Sequence, residues 1–162
     1  MAEAFNEREL PHGKDARYRE VAAEIASVLD GEPNLTARMA TVASMLASSF
    51  DHYFWTGFYV VDGEELVVGP YQGTLGCLRI AFGRGVCGTA AAKRQTQLVA
   101  DVNAFPGHIA CDSRSQSEVV VPVFDPAGQL IAVLDVDSDR PAAFDDTDVR
   151  WLEAIVADTF AR

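Results

Sequence analysis

The chain has 162 residues, with 13 Lys+Arg against 24 Asp+Glu, and a formal net charge of −11 at pH 7. That length suits a single domain over 1–162. A hydrophobic fraction of 49% supports an independent core and excludes disordered, collagen-like and disulfide-scaffold classes. The acidic excess argues against nucleic acid and against an anionic membrane surface, and no stretch nears the ~18 apolar residues of a membrane span.

The opening MAEAFNEREL is polar and lacks an apolar core, so it does not read as a secretory signal. Residues 1–15 are expected to pack loosely. From Ala16 to Asp30, the residues Tyr18, Val21, Ala22, Ile25, Val28 and Leu29 recur at helical spacing, with Gly31 as a stop. Pro33-Asn34 opens a second helix whose inner face carries Leu35, Met39, Val42, Leu46 and Phe50. The period then changes. Phe54 to Val61 reads as a strand, Asp62-Gly63 as a hairpin turn, and Leu66 to Tyr71 as the return strand. Gly73, Gly76, Gly83, Gly85 and Gly88 punctuate the middle, around a short strand at Leu78–Phe82. VCGTAAAK, Val86 to Lys93, predicts a short helix, and Gln97 to Val99 a brief strand. Asp101 to Ser117 has no periodicity, and a loop of that length in a small domain is usually functional. Glu118–Phe124 and Gln129–Asp137 flank a turn sequence, Asp125-Pro126-Ala127-Gly128, and Asp145 or Asp146 caps a last helix with Val149, Leu152, Val156 and Phe160 inside. Hairpins rather than long crossovers imply an α+β domain with a mainly antiparallel sheet.

In the cytoplasm, the expected compartment, an odd set of three cysteines points to redox chemistry more than to structural bridges. Cys77 and Cys87 lie in glycine-rich surroundings, and Cys111 lies in the long loop between His108 and Asp112. No pair has CxxC spacing. Each is a small hydrophobe suited to a core, and Cys87 fits that role best. Cys111, in an irregular polar segment, suits a nucleophile. A zinc site from Cys77, Cys87, His108 and Cys111 matches no common ligand spacing. Asp135 and Asp137 share one face of their strand, and a hairpin would bring Glu118 beside them. Strand-end solvation is the plain reading of these acids. Convergence would instead suit a ligand ammonium, or a carboxyl kept protonated by repulsion to deliver a proton. Trp55 and Tyr59, four apart on a strand, face the same way and serve either as core or as a pocket wall. His12 and His52 carry no signal.

Larger blocks are more specific. WTGFY (Trp55–Tyr59), GPYQG (Gly69–Gly73), CLRIAFGRGVCGTAA (Cys77–Ala91), TQLVADVNAFPGHIACDSRSQSEVVVPVF (Thr96–Phe124) and GQLIAVLDVDS (Gly128–Ser138) closely resemble the free methionine-(R)-sulfoxide reductases, enzymes built on a GAF domain. Phe54 and Ala81 depart from the family's usual Asn and Pro. The resemblance implies a GAF fold: a six-stranded antiparallel sheet with N- and C-terminal helices on one side and the pocket on the other. It implies Cys111 as nucleophile, Cys77 as main resolving cysteine and Cys87 as auxiliary resolver. It places Trp55, Tyr59, Glu118, Asp135 and Asp137 in the substrate pocket. The implied substrate is free methionine sulfoxide, the implied reductant is thioredoxin-like, and no metal or organic cofactor is needed. Relatives often form homodimers. A non-catalytic GAF ligand or redox sensor and a zinc-binding structural module are the competing expectations.

Overall fold

The computed structural model describes residues 11–108 and 111–162. In chain order the elements are α1 (Pro11–Val28), α2 (Leu35–Ala47), β1 (Trp55–Asp62), β2 (Glu65–Gln72), β3 (Arg79–Ala81), α3 (Gly85–Lys93), β4 (Gln97–Val99), a 3-10 turn (Val102–Ala104), β5 (Ser117–Phe124), β6 (Leu130–Ser138) and α4 (Asp146–Phe160). The six strands form one sheet in the order β3-β2-β1-β6-β5-β4, and every neighbouring pair is antiparallel. This is the α+β arrangement expected from the hairpin turns.

Local chemistry sets the element ends. Asn34 caps α2 by accepting from the Ala37 amide at 2.9 Å. Asp145 and Asp148 form a reciprocal capping box at the start of α4. The Asp125 carboxylate accepts from the amides of Ala127 and Gln129, each at 2.9 Å, and closes the β5–β6 hairpin. Val28 and Leu35, expected on inner faces, are 61% and 49% exposed. They sit at the adjoining ends of α1 and α2, where the chain turns through Gly31 (φ 77°) away from the sheet. Helix α1 also begins earlier than the periodicity indicates. Lys14 and Asp15 are anchored by α4, Lys14 to Asp148 and Asp15 by accepting from Trp151 Nε1 at 2.8 Å. Of the segment 1–15 expected to pack loosely, residues 11–15 are helical instead, and 1–10 lie outside the described residues.

The sheet separates two cores. On one face α1, α2 and α4 pack Tyr18, Val21, Val42, Leu46 and Leu152 against Phe58, Val119, Val121, Leu134 and Val136. Each fully buried side chain of this size contributes roughly 1.5–3 kcal/mol. On the opposite face α3 and its loops cover Trp55, Tyr59, Leu66, Ile80, Val120 and Val133. Among the described residues no helix is long and apolar enough to cross a membrane.

Candidate active site

Strand alternation builds the floor of the site on the α3 face. Leu134 and Val136 of β6 enter the helical core, so Asp135 and Asp137 point the other way. Asp137 stands opposite Trp55 on β1 and opposite Glu118 on β5, and Asp135 stands opposite Gly57 and Val120. The hairpin therefore brings Glu118 beside the two aspartates, as the sequence implied. All three carboxyls are buried, with exposures of 5% for Glu118, 5% for Asp135 and 9% for Asp137.

Burial raises the pKa of each of the three well above the carboxylate range, and repulsion among them adds to it. Asp135 Oδ1 is buried with no hydrogen-bond partner. No cation lies within salt-bridge distance of any of the three among the described residues. Cys87, on the first turn of α3, points its thiol at this group and donates to Glu118 Oε2 at 3.9 Å. Burial first, then the neighbouring acids, push the Cys87 thiol up, so it stays neutral. Ligand atoms of Cys87, Glu118 and Asp135 lie within 4.8 Å of one another, close enough to converge on a cation.

Trp55 and Tyr59 form the aromatic wall. Their rings stack at 5.7 Å, and Tyr71 also stacks on Trp55, at 5.0 Å. Burial raises the Tyr59 hydroxyl far above its usual range, leaving it a neutral donor. The cavity, about 50 Å³, is lined by these aromatics, by the three acids, and by Cys87, His108 and Cys111. Burial lowers the His108 pKa. Arg84 and the first turn of α3 border the cavity as well, and helix N-termini favour anions.

Cys77 and Cys111 are joined by a disulfide with a Cα separation of 5.5 Å. Cys87 is free and buried. The pairing leaves Cys77 and Cys111 no thiolate for a shared metal, so the zinc set of Cys77, Cys87, His108 and Cys111 does not form here. The structure brings all eight candidate residues to one site. The sequence reading did not single out Arg84 at the cavity, nor the polar contacts beside the disulfide made by Thr74, Asp112 and Arg114. Thr74 Oγ1 donates to Asp112 Oδ2 at 2.7 Å, and Arg114 Nη2 donates to the same carboxylate at 2.8 Å. Asp112 and Arg114 belong to the polar run after Cys111 and Thr74 to the glycine-rich loop before Cys77, and neither segment has a characteristic spacing.

The GAF domain model matches residues 34–159. The chain is 47% identical to GAF domain-containing protein A of Dictyostelium discoideum, covering 88% of this chain and 90% of that protein. It is 41% identical to free methionine-R-sulfoxide reductase of Escherichia coli, covering 86% and 84%. The X-ray structure of free methionine-R-sulfoxide reductase from Neisseria meningitidis in complex with its substrate superimposes with a TM-score of 0.86 at 49% identity, covering 90% of this chain and 87% of that one. With the disulfide, the buried acids and the aromatic wall on one face of the matching fold, this chain belongs to the GAF-domain family of free methionine-R-sulfoxide reductases.

Proposed function

We propose that this chain reduces free L-methionine-(R)-S-oxide to L-methionine. The observation that carries the reading is a Cys77–Cys111 disulfide at the rim of a cavity floored by three buried carboxyls with raised pKa values. In the reduced enzyme the Cys111 thiolate attacks the sulfoxide sulfur. A carboxyl of the Glu118, Asp135 and Asp137 group gives its proton to the sulfoxide oxygen, which makes the S–O bond breakable. The oxygen passes to Cys111 as a sulfenic acid, and methionine is released with its sulfur reduced by two electrons. The Cys77 thiol then attacks the Cys111 sulfur, expels water and forms the disulfide. An external dithiol of the thioredoxin class, itself oxidised to a disulfide, returns both cysteines to thiols by exchange.

The same pocket accounts for the free amino acid as substrate. The unpartnered Asp135 Oδ1 is a ready acceptor for the substrate ammonium. The first turn of α3 and Arg84 suit its carboxylate. Trp55 offers an apolar face to the methyl group. A methionine inside a polypeptide has neither charged group. A redox sensor would use the disulfide alone and has no need of three desolvated acids beside it.

Incubation with racemic free methionine sulfoxide and a dithiol, followed by chiral separation, is expected to show loss of the R epimer only. Persistence of that epimer, or full activity in Cys111→Ser, would overturn the reading.

A further inference from the structure

The segment carrying Cys77 is a strap laid over the aromatic wall. Gly73 (φ 134°) lies so close to Trp55 that a Cβ there would meet the indole Cδ1 at 2.7 Å, and one on Gly76 would meet the same indole at 3.0 Å. Trp55 Nε1 donates to the Thr74 carbonyl at 2.8 Å, tying the strap to β1. From the other side of the same residue, Thr74 Oγ1 donates to Asp112 Oδ2 at 2.7 Å. Asp112 directly follows Cys111. Its carboxylate also accepts from the Arg114 amide at 2.9 Å and from the Arg114 guanidinium, which lies 4.9 Å over the Phe54 ring. These bonds hold the Asp112 carboxylate well below the usual range, Arg114 contributing most, so it remains an ionised acceptor. A continuous path thus runs from β1 through Trp55, Thr74 and Asp112 to the residue beside Cys111, with Cys77 three residues beyond Thr74.

We propose that the Thr74–Asp112 hydrogen bond is a clasp that holds the Cys77 strap against the Cys111 loop when the disulfide is open, and that Thr74 and Asp112 are positioning residues for the resolving step. The proposal rests on the reading of Cys111 as nucleophile and Cys77 as resolver. Disulfide formation requires the two Cα atoms to lie within roughly 4.4–6.8 Å. Two loops joined only through distant strands spend little time at that distance. A hydrogen bond from Thr74, three residues before Cys77, to Asp112, which follows Cys111, raises the effective concentration of one sulfur at the other. Thr74 is outside the cavity lining, so the attack on substrate does not depend on the bond its hydroxyl donates, whereas Asp112 borders the cavity and its charge reaches Asp137.

The test is single turnover of the reduced full chain without a reductant, comparing wild type with Thr74→Val, Thr74→Ser and Asp112→Asn. Methionine released reports the first step. Loss of the Cys77 thiol reports the second, and the mass of a dimedone adduct on Cys111 reports the sulfenic acid between them. In Thr74→Val the methionine burst is expected to stay within twofold of wild type while disulfide formation slows tenfold or more and the dimedone adduct accumulates. Asp112→Asn should slow disulfide formation too, and Thr74→Ser, which keeps the hydroxyl, should restore it. A wild-type rate of disulfide formation in Thr74→Val overturns the clasp. So does a methionine burst slowed as much as the disulfide, or failure of Thr74→Ser to rescue. A parallel arm replaces the sulfoxide by hydrogen peroxide, which also oxidises the Cys111 thiolate to a sulfenic acid. Absence of methionine in wild type then counts against the reductase reading, while the peroxide arm still decides the clasp.

Discussion

Two buried acidic centres lie on opposite sides of the sheet, and they have opposite electrostatics. On the helical side, Asp148 is fully buried yet saturated with donors: Lys14, the Tyr18 hydroxyl, His52 Nε2 at 2.9 Å and the Asp145 amide at 2.8 Å. Burial raises its pKa, but the bonds from His52, Lys14 and Tyr18 outweigh this and hold it at about 2. On the α3 side, Glu118, Asp135 and Asp137 are equally buried but lack a cation, and their pKa values rise. The first centre joins α1, α4 and the segment before β1. The second retains unsatisfied capacity for a ligand and a proton. Burial of an acid alone therefore says nothing about function; the supply of donors around it decides whether it is a structural joint or a reactive group.

The largest expected effect falls on the pocket. Amide replacements Glu118→Gln, Asp135→Asn and Asp137→Asn should each reduce kcat/KM. The one that delivers the proton should lose about 10²–10⁴-fold in kcat, or about 3–5 kcal/mol of barrier lowering. Steady-state kinetics on the three variants check this. If all three stay within tenfold of wild type, the acid group is not the proton source.

At Asp148 the corresponding effect is on stability. Asp148→Ala leaves Lys14 and the Tyr18 hydroxyl without their buried partner and removes half of the α4 capping box, an expected loss of about 3 kcal/mol. That corresponds to a fall in Tm of about 6–12 °C for a chain of this length. The pocket geometry should survive, so kcat at low temperature should stay near wild type. A Tm within 2 °C of wild type, measured by calorimetry, would show that the joint contributes little.

Acid titration should separate the centres by sign. Asp148 has a folded pKa of about 2 against an ordinary value of 3.8, so the stability it supplies is present above pH 4 and is lost as pH falls toward 2. The loss expected is about 2 kcal/mol. Denaturant unfolding between pH 5 and pH 2 measures it. In Asp148→Asn this part of the pH dependence should be absent.

The two centres were also read unequally from the sequence. Asp135, Asp137, Trp55 and Tyr59 obey strand alternation, and Glu118 follows once the β5–β6 turn at Asp125–Gly128 is recognised. The three cysteines drew attention by number. Their pairing came only from the family resemblance, because Cys77 and Cys111 lie in irregular segments. Asp148, Lys14 and His52 belong to three distant stretches of chain, and nothing local distinguishes Asp148 from other acids in a helix's first turn. Thr74 and Asp112 meet for the same reason: their contact is tertiary and sits between loops without a period. Hairpin neighbours are written into the sequence by alternation, whereas loop-to-loop and helix-to-helix polar contacts depend on how the elements stack.

The smallest expected effect lies at alkaline pH, where the pocket should reverse the behaviour of Asp148. A carboxyl whose folded pKa is raised binds more protons folded than unfolded, so its contribution to stability declines as pH climbs from about 4 through the folded value. Asp135→Asn removes one such group while keeping its shape. At pH 5, only a little above the ordinary carboxylate value, the advantage of the variant over wild type should be small. At pH 8 the linkage has removed more of the wild type's stability, and the variant, which has no proton to lose there, should show its larger advantage. A variant that is less stable at pH 8 than at pH 5, relative to wild type, would mean that Asp135 is ionised and paired in solution, and the contrast between the two faces of the sheet would fail.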